Sequence, residues 1–214
     1  MSADTSPELS QGEAAYEQLY AAIQSGTYRP GDRLREVEVA AHLALSRTPV
    51  REALRKLESD GIVEHRPRIG AVVRRLGHSE VVELYEMREV QERTAAEMAA
   101  KHAAQAEADA LSDLNEALLA APSKDAAHIN RQFHRGIYLA ARNRFLLETA
   151  RALDNALMLL GPTTLEDEAR ISTVHKQHQA IIEAIRTGDA AAAGTAAVAH
   201  LQTSLRFRLG VMRG

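Results

Sequence analysis

Leu45-Ser46-Arg47-Thr48-Pro49-Val50-Arg51-Glu52-Ala53-Leu54 is the stretch on which the fold turns. It reads as the second helix of a helix-turn-helix. Thr48 is a suitable N-cap, and Pro49 suits the first helical position, where no N–H is needed. Arg47, Arg51 and Arg55 recur every four residues and share one helical face, while Val50, Ala53, Leu54 and Leu57 mark the opposite, buried face. A short helix with one arginine edge and one apolar edge suits the major groove of double-stranded DNA.

The flanks complete a domain. Ala15, Leu19, Ala22 and Ile23 form a helical stripe ended by Gly26, and Arg29-Pro30-Gly31-Asp32 is a turn. Glu36–Leu45 reads as a second helix, and the recognition helix runs from about Thr48 to Asp60, stopped by Gly61. Ile62–Arg66 and Ala71–Arg75 read as two strands joined by a basic tip, Pro67-Arg68-Ile69-Gly70. Three helices and a basic hairpin predict a winged helix-turn-helix over residues 12–76, preceded by a disordered tail at 1–11.

After a linker at Gly77-His78-Ser79, with Ser79 as N-cap, the pattern is helical throughout. Helices are expected near 79–104, 106–120, 125–142, 144–160, 172–187 and 189–211. Pro122-Ser123, Asn143, Gly161-Pro162 and Gly188-Asp189 mark the breaks. Residues 163–171 fit a helical extension or a loop. The predicted class is mainly α: the winged domain, then an all-α antiparallel bundle over 79–214 that binds an effector and dimerises.

Composition agrees. Hydrophobic residues make up 45% of the 214, yet aromatics are 4% and Trp is absent, so the cores are built from Leu, Ala, Val and Ile. The absence of Cys rules out disulfides and thiolate metal sites. No apolar run approaches the roughly 18 residues of a membrane span, so no membrane partner and a cytoplasmic location are expected. The net charge of −3 hides an asymmetry: residues 29–75 carry eleven Lys/Arg against seven Asp/Glu, while residues 77–214 carry fifteen against eighteen. A basic reader joined to a unit that does not touch DNA fits that distribution.

Three of the nine histidines stand at informative positions. Asn130 and His134 are four apart on one helix, and His178 and His200 lie at similar distances either side of the bend near Gly188. An i, i+4 pair plus one His from each of two neighbouring helices suits a metal site inside a bundle; buried or surface histidines without metal are the alternative. His78, His102 and His128 read as surface residues.

Residues 1–76 resemble the GntR family of bacterial transcription regulators. The resemblance rests on Pro30-Gly31-Asp32-Arg33-Leu34, the stretch from Leu45 to Leu54, Leu57, Gly61-Ile62-Val63 and Gly70. The helical remainder resembles the FCD-type effector domain of the FadR subfamily. The resemblance implies DNA contacts by Arg47, Thr48 and Arg51, with Arg68 and Gly70 of the wing near the minor groove. The family's usual arginine early in the second helix is Val37 here. Arg35, two residues earlier, could take over, or the site preference differs.

Many FCD domains carry an Asp and three His as metal ligands. This chain matches the histidines in order (His134, His178 and His200), but the Asp is Asn130. An amide oxygen still ligates but brings no charge. An anionic ligand, such as a small carboxylate effector, is therefore expected to complete the shell of a divalent ion: zinc by default, with nickel, manganese or iron as alternatives. The resemblance also places Arg88, beside Glu92, on a ligand cavity, where a guanidinium could grip a carboxylate; an ordinary helix-face pair is the alternative. Tyr85 and Tyr138 could add hydroxyls or pack in the core, and His175 could face the same cavity.

These readings predict a homodimeric regulator, expected to be a repressor, on a pseudo-palindromic operator, tuned by an organic-acid metabolite. A direct metal sensor is the second reading. A histidine-metal enzyme is the third, disfavoured because there is no paired Glu-x-x-His, no nucleophile motif and no acid expected near the histidines.

Overall fold

The computed structural model describes residues 10–161 and 163–213, apart from the side chains of Ser123 and Lys124. Most of the expected tail, residues 1–9, lies outside the described residues. Its last two do not form a tail: Ser10 caps helix α1 (Gln11–Gln24) in a capping box with Glu13.

Among the described residues two compact units emerge, one of residues 10–76 with Asp154–Gly161 and one of 77–153 with 163–213. The first holds α1, β1 (Arg33–Leu34), α2 (Glu36–Leu43), α3 (Arg47–Ser59), β2 (Val63–Arg66) and β3 (Gly70–Val73). Its core is Leu19, Val39, Val50, Leu57, Ile62 and Val73, all at most 3% exposed. The expected apolar face of α3, Val50, Ala53, Leu54 and Leu57, is thus inward, and the period-four arginine face is outward.

Three local readings change. The N-cap of α3 is Ser46, not Thr48, so Arg47 starts the helix and Pro49 is its third residue. Proline is tolerated there because the first-turn N–H groups have no intrahelical acceptor in any case. Gly77, not Ser79, precedes the next helix, and Glu80 accepts from the Gly77 N–H at 2.9 Å. The wing gains a third strand, in the antiparallel order β1-β3-β2, because Arg33 and Leu34 pair with Val72 and Ala71. At the tip, Arg68 (φ 67) and Gly70 (φ 96) adopt left-handed backbone, which lets Arg66 pair with Gly70 across a three-residue turn.

The second unit is built from α4 (His78–His102), α5 (Gln105–Ala120), α6 (Ser123–Ala140), the N-terminal part of α7 (Arg144–Met158), α8 (Glu168–Arg186) and α9 (Ala190–Val211). The remainder of α7 belongs to the first unit, where Tyr20 donates to Asn155 Oδ1 at 3.1 Å. The undecided stretch 163–171 divides: residues 163–167 form a loop and residues 168–171 are the first turn of α8, with Asp167 accepting from the Arg170 N–H to start the helix. Asn143 and Asp189 cap α7 and α9 in the same manner.

Small residues let the helices approach. Ala95, Ala96 and Ala99 of α4 and Ala193 and Ala197 of α9 are at most 1% exposed. A Cβ at Gly194 would sit 2.6 Å from Glu97 Oε1. Phe133, Ile181 and Ile182 fill the space beside them. Among the described residues, no helix is long and apolar enough to cross a membrane.

Candidate functional site: an arginine groove and a buried histidine cluster

Arg47, Thr48 and Arg51 project from the exposed side of α3's first turns. With Arg33, Arg35 and Arg55 the two arginines line a groove of about 850 Å³ that also takes in Val37 and the base of the wing. Arg68 is exposed at the wing tip. Arg35 pairs with Glu38 at 2.7 Å, while Val37 is 62% exposed, so neither yet takes the place of a free arginine at the start of α2.

Glu36, which the spacing arguments passed over, organises this groove. Its carboxylate accepts from Arg51 Nε and Nη2 at 2.8 and 2.9 Å, and from Arg47 Nη2 at 3.0 Å. Arg51 is gripped side-on, which leaves the opposite edge of its fork for a base or phosphate. Among the described residues Arg55 has no ion-pair partner. The signal was available: Glu36 lies in the first turn of α2, the helix that precedes α3 in the motif.

Hydrogen bonds from Arg51 and then Arg47 pull the Glu36 pKa down to about 2. A depressed native pKa means the pairing is intact above the ordinary carboxylate range and is lost as pH falls through about 2. Carboxyl NMR titration should find Glu36 ionised down to that pH, and Arg51→Ala should return it toward ordinary values. Titration of Glu36 near 4.5 in the native protein would show that the clasp is absent in solution.

In the second unit, α6, α8 and α9 bring His134, His178 and His200 together, with one nitrogen of each within 4.8 Å of the others. Their ring centroids are 4.8–5.4 Å apart. His178 is fully buried, stacks on Phe133 at 3.7 Å, and has no hydrogen-bond partner at either nitrogen. Burial, reinforced by the neighbouring histidines, pushes the pKa of His178 well down; burial and His134 do the same to His200. Both are therefore neutral imidazoles at neutral pH, the form that ligates.

His200 Nδ1 meets Gln177 Oε1 at 3.1 Å, leaving Nε2 for the cluster. His134 Nδ1 lies 2.6 Å from Glu92 Oε2, although the ring N–H is not aimed at that oxygen. The expectation that no acid lies near the histidines is therefore corrected. Glu92 is 5% exposed and also accepts from Arg88 Nη2 at 2.7 Å. Burial opposes its ionisation, but His134 and Arg88 hold its pKa below the usual range. A carboxylate behind a ligand histidine is the usual outer partner of a metal site.

The remaining candidates fall as follows. Asn130, one turn before His134, has a buried Oδ1 without a hydrogen bond. Arg88 forms the i, i+4 pair with Glu92 in a buried setting, and its guanidinium lies 5.0 Å from the Tyr85 ring. Tyr85 and Tyr138 are buried. His175 directs Nε2 to Glu116 Oε1 at 2.9 Å, which gives its ring a partner outside the cluster. Sequence reasoning missed Arg170, a buried arginine on the first turn of α8, because that stretch had no assigned structure.

The family models meet this geometry on both units. Residues 11–73 match the bacterial regulatory proteins of the gntR family, and residues 83–203 match the FCD domain. The chain belongs to the GntR family, with an FCD domain. This GntR regulator is 31% identical over 187 residues to a Paenarthrobacter nicotinovorans protein named "Probable D-xylose utilization operon transcriptional repressor", covering 86% of this chain and 82% of that protein. It is 27% identical over 190 residues to the HTH-type transcriptional regulator YdhC of Bacillus subtilis (strain 168), covering 86% and 85%. In fold it is similar to E. coli McbR/YncC, with a TM-score of 0.81 at 22% identity over 95% of this chain and 99% of that one. The relatives are transcription regulators, and so is this GntR chain; it is not an enzyme.

Proposed function

We propose that this regulator is a repressor that leaves its operator when a small organic anion binds at a metal-loaded histidine site in the FCD domain. In this reading residues 12–76 read DNA and residues 79–214 bind effector and dimerise. A cytoplasmic homodimer sits on a pseudo-palindromic duplex, with Arg35, Arg47, Thr48 and Arg51 at the major groove and Arg68 and Gly70 at the minor groove. His134, His178 and His200 hold a divalent ion, zinc by default, with Asn130 beside them. When bound, the ion supplies a Lewis-acidic centre for a carboxylate oxygen. Arg88, Tyr85, Tyr138 and His175 are the candidates for contact with the rest of the ligand. The ligand acts through different affinities for the DNA-competent and DNA-incompetent states.

One observation carries this reading: three buried imidazoles converge, and both nitrogens of His178 lack any partner. An unsatisfied buried polar group costs roughly 1–3 kcal/mol, a cost that a ligand on those nitrogens would remove. The Arg88–Glu92 pair is balanced internally, so it leaves an incoming cation's charge for an anion to meet. The name of the Paenarthrobacter relative supports repression.

Elemental analysis with native mass spectrometry of the zinc-reconstituted full chain should find about one ion per chain. Footprinting on an operator selected from random duplexes should show a protected palindrome that a carboxylate releases. Protection that follows metal occupancy alone would make the metal itself the effector. No bound ion after reconstitution would sink the site.

A further inference from the structure

A second buried charge in the FCD domain stands outside the histidine cluster. Arg170 is 2% exposed. Its Nη2 donates to Ser204 Oγ at 2.9 Å and its guanidinium lies 4.4 Å from the Phe207 ring, but Nε and Nη1 have no hydrogen-bond partner. Asp167 accepts from the Arg170 backbone N–H, and among the described residues no carboxylate forms an ion pair with its side chain. A buried guanidinium with no ion-pair partner and two open donors is costly, because the Ser204 bond, the Phe207 ring and the field of Asp167 replace only part of the hydration that burial removes.

The placement of Arg170 relates it to the histidines. It precedes His178 on α8 by two turns, about 12 Å of helix axis. Its partner Ser204 follows His200 on α9 by one turn, and α8 and α9 pack against each other. Gln177 to Thr203 at 3.0 Å closes the same seam. Arg170 is near enough that its charge is felt at both His178 and His200. Arg88 differs, since Glu92 already neutralises it.

We propose that Arg170 is a second anion-binding group of the effector site, and that the effector is a small dianion with one anionic group at the histidine cluster and the other on the open donors of Arg170. This rests on the effector reading above and narrows its ligand class. A monoanion would leave Arg170 unpaired, and a neutral ligand would leave both centres unpaired. A dicarboxylate of four to six carbons, or a carboxylate of that length ending in phosphate, carries the required charges; the guanidinium accepts either end group.

Calorimetric titration of the zinc-loaded full chain tests this with butyrate, succinate, glutarate, adipate and 3-phosphonopropionate as probes. At least one dianion should bind tenfold or more tightly than butyrate, and the better of the carboxylate and phosphonate series names the end group. Arg170→Met should lose that increment while keeping bound zinc and butyrate affinity, and Arg170→Gln should lose it too. The ligand-free Arg170→Met protein should melt at the native temperature or above, because it sheds an unpaired buried charge. Butyrate binding on a par with every dianion would overturn the proposal, as would an Arg170→Met protein that still discriminates or that melts well below the native one. Zinc stoichiometry and butyrate binding test the histidine site separately, so failure of that reading is distinguishable from failure of this one.

Discussion

His134→Ala is expected to lower metal affinity by more than 100-fold while leaving helix content unchanged. Removing an outer partner of a ligand histidine costs 10–100-fold in affinity, and removing the ligand itself costs more. The fold should survive because Glu92, which loses His134, keeps its 2.7 Å contact with Arg88 and so remains a compensated buried carboxylate. Glu92→Gln should show the smaller, outer-partner loss of about 10–100-fold. Competition against a chromophoric chelator measures both, with far-ultraviolet circular dichroism as the folding control. Undiminished stoichiometry and affinity in His134→Ala would remove His134 from the site.

Arg51→Ala is expected to weaken operator binding by about 1–3 kcal/mol and to relax the preference at one base pair. The side-on grip of Glu36 on Arg51 fixes the plane of the guanidinium in the free protein, so its open edge meets DNA with little ordering left to do. Arg47 keeps its contact with Glu36 in the variant, which confines the change to one side chain. Binding isotherms on the selected operator and on its single-base variants separate the roles. A loss of equal size on every sequence, with a shallower salt dependence, would reassign Arg51 to a phosphate.

The two sites differ in how far they can be read from the chain. The α3 face follows from period alone: Arg47 and Arg51 outward, Val50, Ala53, Leu54 and Leu57 inward. The histidines needed one more step, since His178 and His200 meet only if the helices on either side of Gly188 are antiparallel; the Gly188-Asp189 punctuation supplied it, and Asp189 does cap α9. Glu36, Arg170 and the place of Glu92 behind His134 escaped for a different reason. An acid or an arginine on an amphipathic helix has several solvent-facing explanations, and only a partner from another element tells a clasp from a decoration. The wing's third strand escaped likewise, because two residues show no alternation.

From the order of its residues alone, this chain declares a winged DNA-reading unit followed by helices, because local period, caps and glycine stops are short-range properties. Tertiary packing decided which charges meet: Glu36 with two arginines of α3, Glu92 behind His134, and Arg170 buried against Ser204 with donors to spare. Those pairings join residues 11 to 42 positions apart, and the field and burial at such contacts are set by the whole fold rather than by any window of sequence.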